Sequence, residues 1–111
     1  EGTLNMRGHA REEVLQILRK ELPYLREKYG VEKIAIYGSF AKGDQTKRSD
    51  VDILVQLVNP LGLKFVELAY HLEKVLGRKV DLATFETLHR SLENPRYKHI
   101  ALDIQRTLSY V

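Results

Sequence analysis

The chain has 111 residues, 43% of them hydrophobic and 30% charged, with a net charge of +3 at pH 7. That supports one domain with a single core and excludes a disordered chain. The absence of cysteine rules out disulfides and thiolate metal centres.

Acids and bases are interleaved, without the concentrated basic stripe of a nucleic-acid binder, so direct nucleic-acid binding is not expected. No apolar run approaches bilayer-spanning length and no signal peptide is visible, so a cytoplasmic location without membrane contact is expected. Glu1 to Asn5 precede Met6 and read as a cloning remnant, leaving residues 6–111 as one domain.

From about Arg11 to Tyr29, Val14, Leu15, Leu18, Leu22 and Leu25 fall on a helical stripe. Pro23 predicts a kink or a fresh first turn within it, and Gly30 ends it. Lys33 to Tyr37 is β-branched and strand-like, running into Gly38-Ser39, and Asp44 to Ser49 reads as a polar loop. From Asp50 to Leu57 the pattern alternates, with Val51, Ile53, Val55 and Leu57 on one face and Asp50 and Asp52 on the other. Asn59-Pro60 breaks that strand.

Phe65 to Leu76 returns to helical spacing and Gly77 closes it; Lys79 to Phe85 is a third strand. The tail from about Asn94 to Val111 reads as one helix, with Pro95 in its first turn and Ile100, Ile104 and Leu108 on one stripe. That stripe, with Tyr97, Tyr110 and Val111, either completes the core or docks a partner, and core packing is the favoured reading. The order helix, strand, strand, helix, strand, helix predicts an α/β (α+β) domain: a small mixed β-sheet with flanking helices.

Asp50 and Asp52 emerge on one strand face, where two carboxylates repel unless a cation lies between them. Hard oxygen donors of this kind suit Mg²⁺, or alternatively Mn²⁺. Asp81 joins them if its strand pairs beside the Asp50–Leu57 strand, giving a donor set for a two-metal site. Gly38 permits a close backbone approach to phosphate and Ser39 adds a hydroxyl donor. Lys42, Lys47 and Arg48 lie in the connecting loop, where they are placed to neutralise phosphate charge. Alone, an Asp-x-Asp or a Gly-Ser is ordinarily a solvated turn. In this order, followed by a strand-borne third Asp, the set points to nucleotidyl transfer. His9, His71, His89 and His99 show no metal-ligand spacing, and His71 reads as a surface or boundary residue.

At these residues the chain resembles the DNA polymerase β nucleotidyltransferase superfamily, through Gly38-Ser39, ten intervening residues and Asp50-Val51-Asp52. The stretches Lys28 to Gly43 and Glu73 to Thr84 look like the minimal nucleotidyltransferases (MNT) of bacteria and archaea, and the resemblance extends from about Arg11 to Val111. It implies a polymerase-β-like palm fold with Asp50, Asp52 and Asp81 as catalytic residues and metal ligands, Asp81 activating the acceptor hydroxyl. It also implies nucleotide binding by Gly38, Ser39, Lys42 and Arg48, with ATP as substrate. The expected partner is a HEPN-domain toxin, in complex with which the chain acts as the antitoxin of a type VII-like pair by transferring AMP to a tyrosine. Alternatives are an antitoxin that neutralises by binding, or transfer to a small molecule or RNA. Phe40 and Lys42 stand where Tyr and Arg are frequent in the family.

Overall fold

The computed structural model describes residues 6–38, 41 and 50–111, with side chains from residue 11 onward. Glu1 to Asn5, Ser39, Phe40, Lys42, Lys47, Arg48 and the expected loop Asp44 to Ser49 lie outside the described residues.

Helix α1 (Met6–Tyr29) buries Val14, Leu15, Leu18 and Leu25, the stripe its spacing predicts. It runs on through Pro23 as one helix, so no fresh first turn starts there. Leu18 before the proline and Leu25 after it are fully buried, so packing on both sides offsets the lost backbone donor. Gly30 closes the helix at φ 70°, its N–H donating to the Arg26 carbonyl at 3.1 Å.

Strand β1 (Val31–Tyr37) pairs antiparallel with β2 (Val51–Leu57). Helix α2 (Lys64–Leu76) ends at left-handed Gly77 and returns the chain to β3 (Val80–Thr84), parallel to β2. Helices α3 (Phe85–Glu93) and α4 (Lys98–Thr107) follow, and β4 (Ser109–Tyr110) pairs antiparallel with β1. The sheet order is β3-β2-β1-β4, the mixed sheet with flanking helices that the sequence predicts.

The tail differs from the single helix expected over Asn94 to Val111. Thr84 caps α3 through its side chain, which accepts from the Thr87 N–H at 3.2 Å, so the chain turns helical directly after β3. Asn94 then accepts the Arg96 N–H on its side chain at 2.9 Å and the Tyr97 N–H on its carbonyl at 3.0 Å. Pro95 therefore sits in a turn between two helices, outside the first turn of either. Beyond α4 the chain becomes extended at Leu108, and the Val111 N–H donates to the Ile34 carbonyl at 3.0 Å.

The sheet is covered on both faces. On one, Leu18, Leu25, Leu68 and Leu72 of α1 and α2 pack on Ile34, Ile36, Val51, Ile53 and Val55. On the other, Phe85, Leu88 and Ala101 of α3 and α4 pack on Ala35 and Leu54, with Ile104 and Leu108 against them. Burial on both faces is why β2 reads as a nearly continuous apolar run. Asp52 interrupts it, on the same face as Leu54 by the two-residue period. The tail stripe divides: Ile104 and Leu108 finish the core, whereas Ile100, Tyr97 and Tyr110 remain about half exposed.

Candidate active site

Three polar side chains line up across three strands. Tyr37, the last residue of β1, is the register partner of Asp52, and Asp52 is the register partner of Asp81 on β3. Neighbouring strands lie about 4.8 Å apart, so the two carboxylates stand on adjacent backbones of one face. Asp50 precedes β2 by one residue and is exposed. All lie at the end of the sheet where β1 finishes and β2 and β3 begin. The parallel β2–β3 pairing is what brings Asp81 there, as the sequence reading required.

Gly38 follows Tyr37 with φ 72°, a conformation that side-chain-bearing residues rarely adopt. A Cβ built at this position would run into Oδ2 of Asp52. The glycine thus opens the chain beyond β1 and leaves room for the carboxylate.

The electrostatics follow from this crowding. Burial, then Asp81 and Asp50, push the Asp52 carboxyl up to about 6. Burial, then the same Asp52 and Asp81, push the Tyr37 hydroxyl up to about 12. Among the described residues no three acidic or histidine side chains already converge to metal-binding distance. The donor chemistry nevertheless fits a hard divalent cation: oxygen-only ligands, one of them half-buried, whose mutual repulsion a cation relieves.

Of the residues singled out in the sequence, Gly38, Asp50, Asp52 and Asp81 meet at this sheet end; Ser39, Lys42 and Arg48 lie outside the described residues. Two neighbours escaped the sequence reading. Tyr37 becomes a site residue only through cross-strand register. Arg11 of α1 donates from Nε to the Ala41 carbonyl at 3.1 Å and from its terminal nitrogen to Ser109 Oγ at 3.0 Å. It thereby ties the chain just beyond Gly38-Ser39 to α1 and β4, a link of 30 and 98 positions that no local pattern announces. His71 is half-buried with its ring nitrogen 2.8 Å from Glu21 of α1, in keeping with a boundary role. A wider hollow of about 790 Å³ opens at the opposite sheet end, around Val55 and Thr84, and none of the three acids lines it.

The family described as nucleotidyltransferase domain matches residues 18–106 of this chain. A candidate protein adenylyltransferase of Methanocaldococcus jannaschii is 41% identical over 102 residues, covering 89% of this chain and 95% of that protein. The protein adenylyltransferase MntA of Thermococcus cleftensis is 44% identical over 78 residues, covering 69% of this chain and 79% of that protein. A solved structure of a candidate minimal nucleotidyltransferase superposes with a TM-score of 0.64 at 26% identity, covering 87% of this chain and 92% of that one. A toxin–antitoxin structure with AMP-PNP shares the fold, with a TM-score of 0.53 at 19% identity over 86% of each chain. With a family match over most of its length and relatives above 40% identity, the chain belongs to the nucleotidyltransferase domain family, among its minimal members.

Proposed function

We propose that this protein transfers AMP from ATP to a hydroxyl, that of a tyrosine, on a HEPN-domain partner, and in complex with it acts as an antitoxin. The observation that carries the reading is the Asp52–Asp81 register beside Gly38. Supporting it are the relatives named as protein adenylyltransferases and the toxin–antitoxin complex that shares the fold.

In this reading Asp50, Asp52 and Asp81 hold divalent cation, Mg²⁺ or alternatively Mn²⁺. Such a cation would neutralise the clustered charge and would supply the Lewis acidity that lowers the pKa of a hydroxyl. The chain's own groups do the rest. Gly38 and Ser39 offer backbone and hydroxyl donors to the phosphates, and Lys42 and Arg48 offset their charge. Asp81, exposed at the edge strand, takes the proton of the acceptor hydroxyl. The acceptor oxygen bonds to the α-phosphorus as the bond to the bridging oxygen breaks, and pyrophosphate leaves with the electron pair.

The test is co-expression of the partner toxin with the wild-type chain or with an Asp50→Asn/Asp52→Asn double variant, reading growth and the partner's intact mass. The reading predicts rescue with an AMP-sized mass gain for wild type and neither for the variant. Rescue by the variant without any mass gain would instead establish an antitoxin that works by binding.

A further inference from the structure

Helices α3 and α4 roof the same sheet face that carries Asp52 and Asp81, and a slot of about 160 Å³ remains between roof and sheet. Its floor is Leu54 and Ala83. These are the next residues on that face after Asp52 and Asp81, so the floor begins roughly 6–7 Å along the strands from the acids. Tyr37, the register partner of Asp52, forms the wall at the acid end. Leu88, Ala101 and Ile104 make the apolar sides, and Tyr97 and Ile100, 46% and 52% exposed, stand at the open mouth.

Size and polarity decide what fits. An apolar cavity of about 150 Å³ holds one benzene ring, whereas sites for whole drug-sized ligands run to about 300 Å³ or more. Thr87 and Ser91 of α3 add two hydroxyls to an otherwise mostly apolar lining. A purine brings two fused rings, more than this volume holds, and an edge of several donors and acceptors that so few hydroxyls would leave partly unpaired at a cost. A phenol brings one ring and a single polar atom. Seated along the strands, its ring lies over Leu54 and Ala83 and its hydroxyl projects past Tyr37 toward Asp52 and Asp81, spanning the roughly 6–7 Å that separates the floor from the acids.

We infer that this slot seats the aromatic ring of the acceptor, making it the element that selects a phenolic hydroxyl over an aliphatic one. The inference rests on the transferase reading of the acid site. The exposed collar of Tyr97 and Ile100 leaves the mouth open to the backbone that carries the ring.

The probe is p-cresol, followed through the methyl resonances of the full chain, with AMP transfer to the partner measured in parallel. Expected are shifts at Leu54, Leu88, Ala101 and Ile104 with a Kd on the order of 1 mM. Ser91→Phe, which projects a ring into the slot from α3, should weaken p-cresol at least about tenfold and suppress transfer to tyrosine. Ile100→Ala, at the exposed mouth where folding is not at stake, should weaken p-cresol about threefold. Absence of slot shifts in wild type, an AMP group found on serine or threonine, or full tyrosine transfer by folded Ser91→Phe would overturn the slot while leaving the transferase reading intact. If p-cresol binds as expected but no AMP is transferred to any acceptor, the transferase reading fails, and the acceptor role with it.

Discussion

A side chain at position 38 and the carboxylate of Asp52 compete for one space: a Cβ on Gly38 would overlap Oδ2 of Asp52. Gly38 also holds φ at 72°. Gly38→Ala therefore meets two penalties, a left-handed backbone costing about 1–2 kcal/mol for a non-glycine residue and a displaced carboxylate. Urea denaturation should show a loss of that order. Transfer, measured where the variant is still folded, should fall further than the lost stability explains.

Asp52 gives the metal-free protein one pH-dependent contribution to stability. Its carboxyl is raised from 3.8 to about 6 in the folded state, so the folded chain holds the proton more tightly than the unfolded chain. This contribution to stability is fully present below about 4 and disappears as pH rises through about 6. Thermal melts in chelator should accordingly show Asp52→Asn more stable than wild type at pH 7, with the difference closing toward pH 4. Added Mg²⁺ should raise the wild-type Tm more at pH 7 than at pH 5 and do little for the variant.

Arg11 is a positioning residue in this account. It grips the Ala41 carbonyl and Ser109 Oγ and reaches no carboxylate of the acid cluster. A charged hydrogen bond contributes about 1.5–3 kcal/mol to stability, and only part of that loss reaches nucleotide binding, so Arg11→Ala should lower the Tm and raise the KM for ATP severalfold with a smaller change in kcat. Steady-state kinetics separates the two.

Thr84→Ala provides a structural contrast. It deletes the cap that turns β3 into α3, which should cost about 1 kcal/mol. Below its lowered Tm the variant should keep its ATP affinity, because Thr84 lies three residues beyond Asp81 at the opposite end of β3. Calorimetric melting and nucleotide titration check the two halves.

Much of this architecture is legible in the sequence, where local patterns carry it. The alternation from Val51 to Leu57 gives the face of Asp52, while Asp50 falls one residue before the strand; Gly30 and Gly77 mark helix ends, because periodicity and left-handed glycine are local signals. Helix α3 escaped notice because its apolar residues, Phe85, Leu88 and Leu92, are few, and Phe85 reads equally well as the end of a strand. The break at Asn94 depends on a side-chain turn within a helix-friendly stretch. Tyr37 and Arg11 acquire their places through cross-strand register and a contact 30 positions away, neither of which a single sequence expresses.

Asp81, brought beside Asp52 by the parallel β2–β3 pairing, is the residue on which the proposed transfer turns. The most direct measurement is the rate of AMP incorporation into the purified HEPN-type partner by wild type and Asp81→Asn, with Mg-ATP saturating and both folds checked by melting. The account predicts a loss of about a hundredfold or more for the variant, with its complex with the partner intact. Transfer at the wild-type rate by Asp81→Asn would contradict it.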